Sequence, residues 1–543
     1  MSSILSIGQS ALAAAQAGIN TTGHNIANAA TPGYNRQVIV QGAAQAQNFG
    51  FGFLGQGVEV FTINRVYNEF LGNQMQSAQT TKSGLDSYYS QISQINNLLA
   101  DPTTGLSPAI QDFFTGVQDV ASNPTSIPAR QSALSAAESL ATRFQSMDGR
   151  LEEIGRSLNA QIQTSVAEIN TFGAQIAKLN DAIGKAQLVS GQPPNDLLDQ
   201  RDQLLTELNK QIKVTVVGQG NNYNVFIGNG QPLVVGTSSY SLTSVTSLTN
   251  PEKLEVAYRG SNGSLTPLAE SALTGGQLGG LLEFRSQSLE PAQNALGRIA
   301  IGLASSFNAL HQTGYGLDGS TGNALFTVAS PVVGANGNNT GSAVIGAAIS
   351  SADALTTSDY KLKYDGTNYT VTRLSDNTTS TFASFPQTID GVTLNLSSGT
   401  PNAGDSFLIR PTVNGAFGFG VAITDTAKFA AASQAGAVGD NSNALALANL
   451  QTAHTLGNGT TTYQDAYSQL VSQVGSKSRE LEVTSAAAGN LLTEATLSLQ
   501  NESGVNLDEE AANLLRYQQA YQAAGKVMQI ASQLFDVLLS IGQ

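Results

Sequence analysis

The apolar residues at the two ends of the chain fall in matched rows. Leu5, Leu12, Ile19 and Ile26 recur every seven residues, with Gly8, Ala15 and Thr22 between them at the alternating three-four step. That spacing is a heptad seam, with large side chains at one position and small ones at the other. It predicts a helix of about 40 Å, weakened by roughly 1 kcal/mol at each of Gly18 and Gly23. Thr31-Pro32-Gly33 is a turn, so the helix is expected to end near Asn28. At the other end Leu507, Leu514, Tyr521, Met528 and Phe535 recur every seven residues, and Glu510, Tyr517, Ala524, Ala531 and Leu538 fill the alternating row. Asn506 reads as an N-cap with Glu509 as its capping-box partner. Asp508, Glu509 and Glu510 suit the positive end of the helix dipole. This second helix should reach about 50 Å.

Leu515, Val527, Ile530, Leu534 and Val537 widen its apolar face beyond what one partner helix covers. Two readings follow. The terminal helices close a single globular fold, or they bury further faces against other subunits. The pattern alone does not choose.

Leu85, Tyr88, Ile92, Ile95 and Leu99 form another helical seam. After Pro124 and Pro128 a helical stretch runs from about Ala129 to Gln187, with Leu158, Ile162, Ser165, Ile169, Phe172, Ile176, Leu179 and Ile183 keeping the step. A helix over 197–210 follows the Gly191-Gln192-Pro193-Pro194 break. The period then changes to two. Asn222 to Ile227 alternates before the turn Gly228-Asn229-Gly230, which marks strands from about Val214 to Arg259. Helical pattern returns from Gly280 to His311. Residues 331–424 are rich in Thr, Ser, Gly, Val and Asn, and Asp365-Gly366 between Tyr360–Tyr364 and Tyr369–Thr372 signals a hairpin. Helix is expected to resume at about Thr424. The fold class read from this is mainly α with β-rich inserted domains, an α+β multidomain chain. Its terminal helices, 1–65 with 500–543, form a coiled-coil core. A helical bundle follows (66–211 with 271–330 and 425–499), then a small β-rich segment (212–270) and a β-rich insert (331–424).

Composition narrows the function. Only 12% of residues are charged and the formal charge is −14; an acidic chain repels phosphate backbones, so nucleic acid is a poor partner. There is no cysteine, which excludes disulfides and thiolate chemistry, and the three histidines are far apart in sequence. No cofactor, metal site or catalytic set is expected. No apolar run reaches the roughly 20 residues of a membrane helix, and no cleavable secretory signal is visible.

Asn25-Ile26-Ala27-Asn28-Ala29-Ala30-Thr31-Pro32-Gly33-Tyr34-Asn35-Arg36-Gln37 is the most specific stretch. It is a helix end, an Asn-rich cap, a Pro-Gly turn and an aromatic-basic exit. It resembles the N-terminal signature of bacterial flagellar axial proteins, with Ala30 and Asn35 as mild departures. The segments 195–205, 279–285 and 503–514 are similar to the hook–filament junction family, FlgK; the resemblance is weak or absent over 331–424. The resemblance implies a structural subunit that joins copies of itself in a helical ring. It implies contacts with hook protein and a second junction protein. It also implies export without cleavage to the extracellular flagellum, and capture of the C-terminal helix by a cytosolic chaperone. In that frame Leu5, Leu12, Ile19 and Ile26 are candidate assembly residues. Leu507, Leu514, Tyr521, Met528, Phe535 and Leu538 are candidates for both assembly and chaperone binding. Asn25, Asn28, Thr31, Pro32, Gly33, Tyr34 and Arg36 carry the family motif, with local packing the simpler role for Tyr34 and Arg36. A hook or rod subunit, or a secreted binding protein acting through 331–424, are the alternatives.

Three other features read as ordinary structure. Gly50-Phe51-Gly52-Phe53-Leu54-Gly55 matches a dinucleotide fingerprint without its βαβ context and is taken as a loop. Leu317–Asn323 is a surface turn rather than a calcium loop. Asp196, Asp199, Asp202 and Glu207 are expected on a solvated helix face.

Overall fold

A computed structural model describes residues 2–48, 50–101, 105–260 and 262–541. Helix α1 (Ser2–Asn28) leads into a long antiparallel hairpin, Gln37–Ala43 with Val58–Arg65, in which Gln37 pairs with Arg65 and Ala43 with Val58. Near the tip, Gln47–Asn48 pairs with Phe53–Leu54, so two residues of the glycine-rich stretch are strand and Gly50–Gly52 and Gly55 are loop. Helices α2 (Glu69–Leu99), α3 (Leu106–Ser122), α4 (Ile127–Ser190) and α5 (Asn195–Gln211) follow. At 64 residues, α4 is about 96 Å long. Ser126 caps its start by accepting from the Ala129 amide, and Gly191, at φ +66, ends it. Leu158, Ile162, Ser165, Ile169, Ile176 and Ile183 are buried along one face, as their spacing predicts.

The 214–267 region forms two antiparallel sheets packed on α4. A π-turn joins α6 (Gly276–Phe284) to α7 (Glu290–His311). Residues 332–410 fold as a five-stranded sheet beside a three-stranded one. The expected hairpin is present, with Tyr364 opposite Tyr369. Its loop has four residues, because the Asp365 carboxylate accepts the amides of Thr367 and Asn368 at 2.8 and 2.6 Å.

Helix does not resume at Thr424. Residues 429–441 form turns held by Asp440, whose carboxylate accepts the amides of Ser433 and Ser442 at 2.7 and 2.9 Å. Only then come α8 (Ser442–Asn449) and α9 (Tyr463–Ser503), and finally α10 (Leu507–Ile541). One core runs through the helical body from Tyr88 and Phe113 to Phe307 and Leu481. A second, around Leu362, Val371 and Phe407, belongs to the insert.

Candidate assembly interface

Helices α1 and α10 pack antiparallel: Gly8 lies against Met528, Gly18 against Tyr517, and Asn25 against Glu510. The small row faces inward. Gly8, Ala15, Gly18, Thr22 and Asn25 of α1 are buried, as are Glu510, Ala524 and Ala531 of α10. A Cβ on Gly18 would stand 2.5 Å from the Tyr517 ring, and one on Gly8 2.9 Å from the Met528 side chain. Gly18 is therefore a packing device, not a weak point. Gly23, whose Cβ would meet nothing, is the position where the helix-propensity penalty applies undiluted.

Most of the large side chains point away from this seam; Met528, which packs on Gly8, is an exception. Leu5 and Ile26 are exposed, and Leu12 and Ile19 half-buried. On α10, Leu507, Tyr521, Phe535 and Leu538 are exposed, and Leu514 and Met528 half-buried. Leu515, Val527, Ile530, Leu534, Val537 and Leu539 add apolar surface that is 38–60% exposed. Burying an alanine methyl contributes only about 0.8 kcal/mol, so the intramolecular pair gains little. A row of partly exposed large apolar side chains therefore runs along α10, the kind of contiguous apolar surface that marks an interaction site.

The family motif forms the closed end of this pair. Asn25, 1% exposed, makes four hydrogen bonds. Its Oδ1 accepts the Tyr34 hydroxyl at 2.7 Å and the Gln37 amide at 2.9 Å. Its Nδ2 donates to the Gln37 carbonyl at 2.8 Å and to Glu510 Oε2 at 3.1 Å. Glu510 is buried in the first turn of α10, where the helix dipole favours a carboxylate. Burial, with the charges of Asp196, Asp199 and Glu510, pushes the Tyr34 phenol far above its ordinary value, so it serves as a permanent donor. Asn28 ends α1 as expected: its carbonyl accepts the Thr31 amide at 2.9 Å and its Oδ1 the Thr31 hydroxyl at 3.1 Å. Gly33 adopts φ +77 and lies against the side chain of Gln203. Asn506 caps α10 by accepting the Asp508 amide at 3.0 Å. The expected capping box is half formed: Asn506 Oδ1 also accepts the Glu509 amide at 3.4 Å, but the Glu509 carboxylate turns outward to Arg36 Nη1 at 2.5 Å. Tyr34 and Arg36 thus both make contacts within the chain.

The chain leaving the motif is fastened to α5. Asn35 donates its amide to Asp199 Oδ2 at 3.0 Å and its side chain to Asp199 Oδ1 at 2.6 Å. Gln37 Nε2 donates to Asp196 Oδ1 at 2.7 Å. Arg65, at the far end of the hairpin, bonds Asp199 at 2.8 Å and Asp202 at 2.6 Å. Burial opposes the guanidinium charge, but these two carboxylates outweigh it and raise the Arg65 pKa. Asp199 and Asp202 are buried, which corrects the expectation of a solvated face; Asp196 and Glu207 remain partly open. The three-residue spacing of Asp196, Asp199 and Asp202 puts them on one face of α5, a signal that could have marked the clasp. Nothing local in the sequence marked Arg65, and nothing local tied Gln37 or Glu510 to these partners.

The chain matches the model of the flagellar hook-associated protein FlgK helical domain over residues 92–326. It matches the D2-like domain of flagellar hook-associated protein 1 over 334–411. Flagellar basal body rod protein models match its two ends, over 5–35 and 499–541. It is similar to flagellar hook-associated protein 1 of Escherichia coli (strain K12), 40% identical over 547 residues that span the whole of both chains. The chain belongs to the flagellar hook-associated protein 1 (FlgK) family. The Salmonella typhimurium relative is 41% identical, again over all of both chains. Among solved structures, the flagellar hook junction protein FlgK from Burkholderia pseudomallei matches with a TM-score of 0.75 at 33% identity, covering 79% of this chain and 99% of that one. The family likeness therefore extends into 334–411, where the sequence by itself showed little. No helix among the described residues is long and apolar enough to cross a membrane.

Proposed function

We propose that this chain is a structural subunit of the junction between the hook and the filament of the bacterial flagellum, needed for filament assembly and motility. One observation carries the reading beyond family membership. α1 presents mainly small residues to α10, and the two helices keep much of their large apolar surface, Leu5 and Ile26 with Leu507, Tyr521, Phe535 and Leu538, free for neighbours. Such contacts are heterologous, so they propagate around a helical ring rather than closing a dimer. On this reading the terminal domain, 1–65 with 500–543, lines the ring, and 331–424 faces outward. Neighbours along the axis are hook protein on one side and a second junction protein on the other. Export proceeds without a cleaved leader, and a cytosolic chaperone covers the exposed face of α10 until then, as its apolar area requires.

Phe535→Asp and Leu538→Asp test the proposal. Both side chains are more than half exposed, so the monomer should lose no more than about 0.5 kcal/mol. The expected phenotype is intact hooks without filaments and a non-swimming cell. Normal filaments in both mutants would refute the assembly role of α10. A strain lacking the protein that made no hooks would instead favour a hook or rod subunit.

A further inference from the structure

The insert folds around its own core of Ile345, Leu355, Leu362, Val371, Leu394 and Phe407. A unit with its own core, entered and left by two chain crossings, by default moves on those crossings. Here both crossings are held by backbone contacts. On the entry side a Cβ on Gly334 would lie 2.0 Å from the Thr249 carbonyl oxygen, and the Gly337 amide donates to the Leu248 carbonyl at 3.0 Å. The entry strand Val332–Ala335 pairs directly with the exit strand Ser406–Arg410. On the exit side the backbone of α7 meets the turn after Arg410. A Cβ on Gly297 would lie 1.8 Å from the Thr412 carbonyl oxygen, and one on Gly415 2.3 Å from that of Gly297.

Around this close approach α7 presents one stripe. Asn294, Gly297, Arg298 and Ile301 follow the helical step of three and four. Asn294 Nδ2 donates to Asp359 Oδ1 at 2.9 Å, and Arg298 Nη1 to the Leu355 carbonyl at 3.4 Å. Ile301 enters the core of the insert, although it belongs to the helical body. Asp359 also faces the Arg410 guanidinium at 3.6 Å. A third support lies elsewhere: the amide of Asn458, a residue with φ +57, donates to the Asp353 carbonyl at 2.9 Å. A loop, a helix face and a turn hold the insert at separate points.

We infer that the insert is a rigidly oriented fin, keyed to α7 through Gly297, and not a module that swings on its linkers. The inference does not depend on where the subunit assembles. Swinging about either crossing would part the Gly334–Thr249 approach or the Gly297–Gly415 contact. It would also strip Asn294 from Asp359. Every copy in an assembly would therefore present the insert at one angle.

Spin labels on the full chain at Gln163→Cys of α4 and Thr379→Cys of the insert, both exposed positions, read the orientation directly. One narrow distance population is expected. A broad distribution in the otherwise unaltered chain would overturn the inference. Adding Gly297→Val should broaden the distribution and speed proteolytic nicking between 411 and 420 by roughly tenfold. An unchanged narrow distance in that folded variant would show that Gly297 does not key the seat. Should the variant fail to fold, Asn294→Ala with Arg410→Met removes both partners of Asp359 without touching the backbone of α7. Broadening is again expected, and an unchanged distance again counts against the seat.

Discussion

Gly18 and Tyr517, 499 positions apart in the chain, form the closer of the two glycine contacts of the terminal pair: a Cβ on Gly18 would stand 2.5 Å from the ring. Gly18→Val should therefore expel Tyr517 and cost about 1–3 kcal/mol. Hydrogen exchange across α1 should rise accordingly. Gly23→Ala is the matched control. Its Cβ meets nothing, so it should strengthen α1 by up to about 1 kcal/mol. Equal effects of the two variants would mean that the pair is not packed as described.

Asn25 is the second point of leverage. Asn25→Leu removes partners from the Tyr34 hydroxyl, the Gln37 amide and the buried Glu510 carboxylate at once. Each buried group left unpaired costs about 1–3 kcal/mol, so the terminal pair should detach in the monomer. Adding Glu510→Leu should restore part of the loss, since two apolar partners replace one stranded charge. A double variant no better than the single would place the Glu510 carboxylate outside this hub.

The contrast between these sites and the rest marks what was legible in the sequence. Periodicity is local, so the rows of α1, α4 and α10, the end of α1 at Asn28 and the Tyr364–Tyr369 hairpin could be read directly. Which row faces inward could not. It depends on the register between α1 and α10, fixed by contacts such as Gly18 with Tyr517. The burial of Asp199 was equally hidden, because its partner Arg65 lies 134 residues earlier. The late restart of helix after Thr424 turned on Asp440 capping two serines, and such side-chain capping competes with helix without altering composition. The motif was recognisable as a string, but its role as a clasp between α1, α5 and α10 needed the fold.

The Arg65 clasp should behave as one unit. Arg65→Met strands the Asp202 carboxylate and leaves Asp199 with only the neutral donors of Asn35, at side chains 11% and 6% exposed. Removing one partner of a buried pair costs about 3–5 kcal/mol. The hairpin and the start of α5 should lose exchange protection together. Asp196→Asn, at a side chain 58% exposed, should cost less than about 1 kcal/mol. Comparable losses at both positions would show that burial is not what distinguishes them.

His311 gives the body a pH dependence of known sign. Burial, helped by the nearby Arg130 charge, pushes its imidazole down to about 4 against the opposing pull of the Asn323 carbonyl. The ring is neutral: Nδ1–H donates to Asn323 O at 2.6 Å, and Nε2 accepts the Ala430 amide at 2.9 Å. In the unfolded chain the ordinary value is about 6.5. Between those values the unfolded state binds a proton that the folded state refuses. The contribution is complete above pH 6.5 and is lost as pH falls towards 4, on the order of 3 kcal/mol in all. Asp148 and Asp359, each pushed up to about 6 mainly by burial, act in the opposite direction. Their folded forms hold protons that the unfolded chain releases, so their contribution grows as pH falls through 6. Groups of both signs titrate over this range, so a difference measurement is needed to see His311. His311→Gln cannot titrate. The stability gap between the unaltered chain and this variant should narrow steadily from pH 7 to pH 4 in urea titrations followed by near-ultraviolet dichroism. A gap independent of pH would mean that His311 is not held neutral in the core.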